Sequence, residues 1–488
     1  MMPRTLGELR ASGYRPRTVR QELRANLVMK LKSGDDVFPG IIGFERTVIP
    51  QVQNAILSAH DFILLGLRGQ AKSRILRALS GLLDESTPAI ADSPLNEDPM
   101  APISASARRR IAKEGDDLPI VWLSREDRFH EKLATPDVTV ADLIGDIDPL
   151  KAVTQKLTLD DPEAINFGII PRSNRGIFAI NELPDLQPRI QVALLNLLEE
   201  RDIQIRGFPI RLPLDILMVF SANPEDYTNR GNIITPLRDR IASQILTHYP
   251  RTVEDSRKIT EQEAWTSRDD VIDISVPEYL RVTIEEVAFR ARESDVVDQS
   301  SGVSARMTIS LLENVISNAE RRALINAQTA AVARVSDLFT SITAITGKIE
   351  LVYEGEREGP RSVAHSLVGK ALKVVFDERV GQALKPSDEG SKRTECQPIL
   401  GWFSGQRTLD LTDDLGDVEL YERLCSIPSL ELVATQYLDC EHRPEIAAAM
   451  EFILEGLHQS ALLSREELLG GSVYRDTFED MVRSFKKA

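Results

Sequence analysis

The sequence contains few cysteines, few aromatic residues and no long apolar run. Only 3 of its 488 residues are cysteine, and aromatic residues make up 5%. The thiols of Cys396, Cys425 and Cys440 form no CxxC pair, so a disulfide framework is not expected. The apolar runs are far shorter than the roughly 20 residues that cross a bilayer. We therefore expect reduced thiols and a cytoplasmic protein with no membrane partner.

The chain also lacks an excess of positive charge. Its formal net charge is −16, and such a chain repels phosphate backbones unless it carries a local basic patch. The low aromatic content also argues against a surface for base stacking. We therefore do not expect nucleic acid to be a partner. Hydrophobic residues at 42% and charged residues at 27% are ordinary for a globular protein, and the length suggests about three domains.

Short apolar runs alternate with helical periodicity between residues 37 and 250. The runs cover residues 62–65, 120–123, 177–180 and 216–220. This alternation predicts βα units around a parallel sheet with both faces covered by helices. The helix after the third run is expected to open with Asp185 and Pro188. The helix after the first run has one apolar stripe, made of Ile75, Leu76, Leu79, Leu82 and Leu83.

Other segments have distinct patterns. Residues 1–36 are predicted to be helical, residues 84–118 to form a long surface excursion, and residues 203–212 to form a β-hairpin. Beyond residue 251 the strand runs mostly fade, and residues 380–415 are predicted to be a loose joint. Helices are predicted from residue 306 onward and near residues 278–293, 362–377, 417–439 and 444–460.

The strongest local signal is a glycine-bearing loop between the first apolar run and the following helix. From Gly66 to Ser73 it reads Gly-Leu-Arg-Gly-Gln-Ala-Lys-Ser. In such loops backbone amides surround phosphate oxygens, the lysine reaches the β- and γ-phosphates, and the next hydroxyl binds Mg²⁺. We therefore predict that Lys72 contacts phosphate and Ser73 the metal. Ala71 replaces the usual last glycine, and alanine adopts a left-handed backbone only at a cost.

Two later apolar runs end in polar residues. The third run ends in Asn181 and Glu182, and the fourth is followed by Asn223. A nucleotide hydrolase needs acid near the metal and the attacking water, so Glu182 is the candidate to orient or deprotonate that water. Asn181 can hydrogen-bond a metal-bound water but lacks the charge of the usual aspartate. Asn223 is a candidate to hold the water or to sense the γ-phosphate.

Three arginines are candidates to stabilise charge on a transferred phosphoryl group. Arg238 and Arg240 follow the fourth run, and arginine can serve this role from a neighbouring subunit. Arg306 begins a later helix and is a candidate to reach the γ-phosphate across a domain joint.

Taken in order, these segments resemble AAA+ ATPases of the MoxR and magnesium-chelatase I-subunit clade. The loop from Gly66 resembles the Walker A loop of that clade, and the strand ending at Glu182 resembles its Walker B strand. Residues 38–43 resemble the entry segment that lies beside the adenine. Residues 146–149 and 174–177 resemble the region that leads into Walker B.

The resemblance continues through the later motifs and covers roughly residues 35–320. Residues 221–226 are similar to the sensor 1 segment, and the hairpin near 203–212 corresponds to an insertion before it. Residues 237–241 resemble the Leu-Asp-Arg-Phe element, which puts Arg240 at the arginine-finger position. Arg306 falls at the sensor 2 position. The stretch from about residue 350 onward does not align with the chelatase subunit.

The resemblance implies an α/β fold with a P-loop AAA+ core of three αβα layers and a parallel sheet. The core would span residues 37–250, after an N-terminal helical segment at 1–36. An α-helical lid at 251–350 and a mostly helical C-terminal region at 351–488 would follow. The implied cofactors are ATP and Mg²⁺. The implied catalytic residues are Asn181, Glu182, Asn223, Arg240 and Arg306, and the implied metal ligands are Ser73 and Asn181. The implied nucleotide-binding residues are Ile41, Ile42, Gly66, Leu67, Arg68, Gly69, Gln70, Ala71, Lys72, Ser73 and Arg74.

The implied function is that of an ATP-driven remodelling subunit. It would assemble as a homo-oligomeric ring, expected to be a hexamer, and act on a partner with a von Willebrand A-type domain in metal insertion or complex maturation. One alternative is a nucleotide-bound scaffold that hydrolyses little because of Asn181. A bacterial enhancer-binding activator is less favoured because the sequence has no GAFTGA motif, and an AAA+ protease because it has no protease motif.

Overall fold

The computed structural model describes most of the chain, which divides into two units. The described residues are 2–148, 165–204, 211–224, 232–268, 272–385, 394–405, 407–468 and 470–477. The first unit is Met1–His248 and the second is Tyr249–Ala488. Within the described ranges, every helix is too short or too polar to cross a membrane.

The first unit is built around a parallel sheet of five strands. In chain order the strands are β1 Phe62–Leu65, β2 Phe129–Leu133, β3 Gly176–Asn181, β4 Ile216–Ala222 and β5 Ser243–Leu246. Their order across the sheet is β5-β1-β4-β3-β2, and all neighbours are parallel. Strands β3 and β4 are buried along their whole length, as expected where helices cover both faces. The predicted fold class is confirmed.

Alternate residues of the central strands enter two separate hydrophobic cores. Leu217 and Val219 of β4 face one core, whereas Met218 and Phe220 face the other. The first core includes residues from helices Val19–Ser33, Val48–Leu57 and Lys72–Ala78. The second core includes residues from helices Ile169–Arg172, Pro188–Ala193, Leu195–Glu199 and Thr235–Arg240. The sheet is therefore the middle of three layers.

A buried ion pair ties the N-terminal helix Val19–Ser33 to the sheet. The helix starts with a capping box between Thr18 and Gln21. The Arg128 guanidinium donates to both carboxylate oxygens of Glu22, at 2.7 and 2.6 Å, and both side chains are almost fully buried. Because Arg128 immediately precedes β2, this pair attaches the helix to the edge of the sheet. A shorter helix, Leu6–Ala11, precedes it.

Two predictions about the middle of the first unit are wrong. Residues 120–123 do not join the parallel sheet, because strand Ile120–Ser124 pairs antiparallel with strand Ser86–Ile90 in a separate ribbon. Residues 84–118 are more than a surface excursion, since they also contain helix Ala105–Glu114. Polar residues do not make this whole segment a surface loop, because some of them are buried. The Glu97 carboxylate, only 2% exposed, accepts hydrogen bonds from two local amides and two serine hydroxyls.

The predicted cap at Asp185 is also wrong. Asp185 ends a short 3₁₀ helix, Leu183–Asp185, and the following α-helix starts at Pro188. The predicted hairpin is present as strands Asp202–Gln204 and Arg211–Pro213, while residues 205–210 lie outside the described residues. The apolar stripe from Ile75 to Leu83 is buried as predicted. The other short elements of this unit are 3₁₀ helices Leu79–Leu82, Gly115–Asp117 and Glu126–Arg128, helix Val140–Leu143, and the paired strands Gly145–Ile147 and Ile165–Phe167.

The second unit is mainly helical. Its helices are Val253–Glu263, Glu278–Glu293, Arg306–Ile325, Val335–Thr340, Thr343–Thr346, Tyr353–Glu358, Pro360–Arg379, Gln397–Phe403, Asp417–Leu424, Leu430–Tyr437 and Arg443–Gln459, with a 3₁₀ helix at Gly381–Leu384. Strands Asp273–Ser275 and Ala330–Val332 pair in parallel. The predicted helix at 417–439 is broken near Ser429, whose φ is 65°.

The end of the second unit contains a sheet that the sequence analysis did not predict. Strand Gly471–Asp476 lies between Leu409–Thr412 and Leu463–Leu468, and both pairings are antiparallel. The predicted loose joint at 380–415 contains helix Gln397–Phe403, which buries Ile399 and Phe403, and the first of these strands. Residues 386–393 and 406 lie outside the described residues. One hydrophobic core extends from Val276 to Tyr474.

Buried charged side chains join early and late parts of the second unit. Arg322 donates to Asp337 at 2.9 Å and to Asp417 at 2.7 Å, and its side chain is 0% exposed. Arg334 and Glu451 form a further buried ion pair at 3.6 Å. Burial raises the pKa of the Glu451 carboxyl, and the charge of Arg334 opposes that rise. The helix that starts at Arg306 is thereby bonded to a helix more than 90 residues later in the chain.

Candidate nucleotide-binding site

Sheet register brings the ends of β1, β4 and β3 to one edge of the first unit. Leu65 pairs with Ala222, and Phe220 pairs with Ile180. Because the strands are parallel, the residues that follow them leave the sheet on the same side. The Gly66 amide donates to the Ala222 carbonyl at 3.2 Å, which fixes the start of the loop against β4. The predicted loop and the polar ends of two neighbouring strands therefore lie together at the carboxyl ends of these strands.

The loop closes around the Lys72 ammonium. Lys72 is 7% exposed, and its Nζ donates to the Gly66 carbonyl and, at 3.0 Å, to the Leu67 carbonyl. Gly69 has a φ of 73°, which a glycine adopts without strain. Ala71 is also left-handed, with φ 53° and ψ 15°, at a cost of roughly 1–2 kcal/mol for a residue with a Cβ. The substitution of alanine for glycine therefore stores strain directly before the lysine.

A threonine after β5 holds the middle of the loop. The Thr247 Oγ1 lies 2.6 Å from Oε1 of Gln70 and 3.2 Å from the Leu65 carbonyl. A Cβ built on Gly66 would overlap both the Thr247 hydroxyl and Gln70 Oε1, so this position admits only glycine without a rearrangement. Sequence reasoning missed Thr247, and the only available signal was its position after a short strand.

The polar end of β3 meets the start of the helix that follows the loop. The Ser73 hydroxyl donates to Asn181 Oδ1 at 3.2 Å, and the Ser221 hydroxyl donates to the same oxygen at 3.0 Å. Asn181 is 9% exposed and Ser221 is 1% exposed. Ser73 and Asn181 therefore present two adjacent oxygen atoms, which are the ligand type that Mg²⁺ prefers. Sequence reasoning assigned no role to Ser221.

Glu182 and Asn223 lie next to this pair in the chain. Glu182 has a left-handed backbone, with φ 55° and ψ 51°, which is uncommon for this residue type and typical of functional sites. Its amide donates to the Ser221 hydroxyl at 3.4 Å. Asn223 is 5% exposed, and within the described residues its Oδ1 accepts no hydrogen bond. A buried acceptor of this kind is available to a water or a phosphate-bound group.

The predicted adenine segment lies over the first hydrophobic core. Ile41 is 7% exposed and belongs to the same core as Phe62, while Ile42 is half-buried. Nearby, the Phe44 and His248 rings meet edge to face at 5.0 Å between centroids. Arg68 and Arg74, which were predicted to bind nucleotide, are exposed on the loop and the helix that follows it.

The two arginines that were predicted to be catalytic have no contact with this site among the contacts described. Arg240 ends helix Thr235–Arg240 and is bonded to Glu199, with Nε at 2.7 Å from the carboxylate. Arg306 is the first residue of its helix and belongs to the second unit. Their predicted roles as arginine finger and sensor 2 stay predictions. Among the described residues, no group of three or more His, Cys, Asp or Glu side chains is placed to hold a metal ion.

Comparisons with known proteins find sequence similarity to magnesium-chelatase subunits. No protein-family model matches the chain. The magnesium-chelatase subunit ChlI of Nostoc sp. is 27% identical over 230 residues, which are 46% of this chain and 58% of that protein. The chloroplastic subunit ChlI of Oryza sativa subsp. japonica is 26% identical over 268 residues, which are 52% and 59% of the two chains. A chain from a cryo-EM complex of the magnesium-chelatase subunits BchI and BchD is 20% identical and covers 66% of this chain and 98% of its own, with a TM-score of 0.34.

The parallel sheet and the loop around Lys72 define a P-loop protein of the AAA+ class. Over about half of its length, the chain is similar to magnesium-chelatase I subunits, with 26–28% identity. The chain spans 46–59% of the length of these ChlI relatives.

Proposed function

We propose that the chain binds Mg²⁺ and ATP in the loop at residues 66–73 and hydrolyses ATP slowly. The observation that carries the proposal is the 3.2 Å contact between Ser73 and Asn181, next to the loop that encloses Lys72. Three neighbouring strand ends supply these groups, and residues distant in sequence meet there. A strand-turn-helix of purely structural role has no need for a lysine buried among its own loop carbonyls.

The residues at this edge fit a hydrated Mg²⁺ and a triphosphate. Ser73 Oγ and Asn181 Oδ1 would hold the metal or its water, and bound Mg²⁺ would neutralise negative charge on the β- and γ-phosphate oxygens. Lys72 would exchange its loop carbonyls for phosphate oxygens, which are stronger acceptors. Glu182 would orient or deprotonate the attacking water, and the buried oxygen of Asn223 would accept a hydrogen bond from it.

Two substitutions test the proposal. Lys72→Ala should abolish ATP binding measured by isothermal titration calorimetry, because it removes the cation inside the loop. Lys32→Ala, which changes an exposed lysine on the N-terminal helix, is the matched control. Glu182→Gln should retain ATP binding and lose phosphate release. Tight ATP binding by Lys72→Ala, or normal turnover by Glu182→Gln, would contradict these assignments.

A second candidate function is a nucleotide-bound scaffold with little hydrolysis, and Asn181 favours it. An amide accepts a hydrogen bond from a metal-bound water but brings no negative charge to the metal. Asn181→Asp should therefore raise Mg²⁺ affinity and turnover if the missing charge limits the reaction. An inert wild type together with an active Asn181→Asp variant would establish the scaffold. Appreciable wild-type turnover would establish the ATPase.

We also propose that the subunit works in a homo-oligomeric ring, expected to be a hexamer, on a partner protein. The relatives are named as subunits of magnesium chelatase, and a partner with a von Willebrand A-type domain in metal insertion or complex maturation would suit that role. Arg240 would then complete the neighbouring site. Native mass spectrometry with and without ATP tests the ring, since a chain that stays monomeric with bound ATP would contradict it.

A further inference from the structure

A buried hydroxyl on β4 fixes which atom of the Asn181 amide faces Ser73. The Ser221 Oγ lies 3.0 Å from Asn181 Oδ1 and accepts a hydrogen bond from the Glu182 amide at 3.4 Å. Ser221 is 1% exposed, so its hydroxyl proton needs an acceptor within the protein. The Asn181 oxygen provides that acceptor. Ser221 thus receives one proton from the backbone and donates its own to the amide oxygen.

This bond matters because residue 181 is an asparagine. Ser73 also donates to Asn181 Oδ1, so two hydroxyls hold the oxygen on the side of the predicted metal. If the amide turned over, its NH₂ group would face Ser73, and that group can neither bind a cation nor accept a hydrogen bond from metal-bound water. An aspartate would not need this control because either of its oxygens is an acceptor.

We propose that Ser221 is a positioning residue that keeps the Asn181 oxygen toward Mg²⁺ and so adapts the site to an asparagine. The inference rests on the proposed function, since it concerns the same Mg-ATP site. It has a specific consequence for paired substitutions. Ser221 contributes to metal-dependent nucleotide binding while residue 181 is an asparagine, and that contribution disappears when Asn181 is replaced by aspartate.

The test is a double-mutant cycle on the full chain. The dissociation constant of a fluorescent ATP analogue is measured in Mg²⁺ and in EDTA for the wild type, Ser221→Ala, Asn181→Asp and the double variant. The ratio of the two constants is the metal-dependent gain in affinity. Loss of one orienting hydrogen bond should reduce this gain about 2- to 10-fold in Ser221→Ala. In the Asn181→Asp background, Ser221→Ala should change it by less than about twofold.

Thermal unfolding of each variant without nucleotide separates positioning from structural support. A merely structural Ser221 would lower the melting temperature and leave the metal-dependent gain unchanged, which would overturn the inference. Equal losses of that gain in both backgrounds would also overturn it, while leaving the nucleotide site intact. A wild type that binds no nucleotide would overturn the proposed function and the positioning role together. If Ser221→Ala does not fold, Ser221→Cys offers a side chain of similar size with a weaker donor.

Discussion

Replacing Gly66 with alanine should damage the nucleotide loop without touching any charged residue. The added Cβ would overlap the Thr247 hydroxyl and Gln70 Oε1, and it would lie 3.1 Å from Thr247 Cβ. Either the loop or β5 must move, and the 2.6 Å contact between Thr247 and Gln70 must break. Overpacking of this kind costs about 1–3 kcal/mol. If the substitution destabilises the loop conformation that binds ATP by this amount, ATP affinity should fall about 5- to 150-fold.

The assay is a titration with a fluorescent ATP analogue, accompanied by thermal unfolding. Gly81→Ala is the matched control, because no atom lies within 4 Å of a Cβ at that position. Combining Gly66→Ala with Thr247→Ala removes one of the overlapping atoms and should recover part of the affinity. Wild-type affinity in Gly66→Ala alone would refute the steric reasoning. Failure of the Thr247→Ala combination to restore any affinity would place the obstruction elsewhere.

Two more substitutions test the subunit contact and the N-terminal attachment. Arg240→Ala should leave ATP binding largely intact and stop hydrolysis, and mixing it with Lys72→Ala protein should restore part of the phosphate release. Absence of any recovery would count against a shared site. Arg128→Ala should lower the free energy of unfolding in urea by about 3–5 kcal/mol, because it removes the cation that pairs with the buried Glu22 carboxylate. Arg77→Ala breaks a more exposed pair with Glu131 and should cost no more than about 1 kcal/mol; equal losses would contradict the role of burial.

The strand, loop and helix around residues 66–73 could be predicted because their signals are local. An apolar strand, a glycine, Lys72 and Ser73 follow one another within twelve residues, and the strand and helix around them form as expected. The left-handed backbone of Ala71 could not be predicted, since it runs against the preference of that residue. Thr247 and Ser221 have no local signature either, because their contacts depend on strand register.

Two strands that the sequence analysis did not predict show how tertiary contacts override local patterns. β2 reads Phe-His-Glu-Lys-Leu and lies at the edge of the sheet, where an apolar run is not required. Strand Leu463–Leu468 reads Leu-Ser-Arg-Glu-Glu-Leu, a composition that favours a helix. It is a strand because it pairs with Gly471–Asp476, and Gly470, directly before that partner, has a φ of 83°. Neither assignment was accessible without the partner strand.

The buried arginine network of the second unit determines which parts of that unit stay together. Cutting the polypeptide near residue 350 would remove Asp417 from Arg322 and leave the ion pair with Asp337. It would also open the hydrophobic core that reaches Tyr474. The described residues after position 350 are thus part of the same folded unit as the predicted lid. Within the second unit, we therefore expect a displacement of the helix starting at Arg306 to carry the helix that contains Asp417 with it.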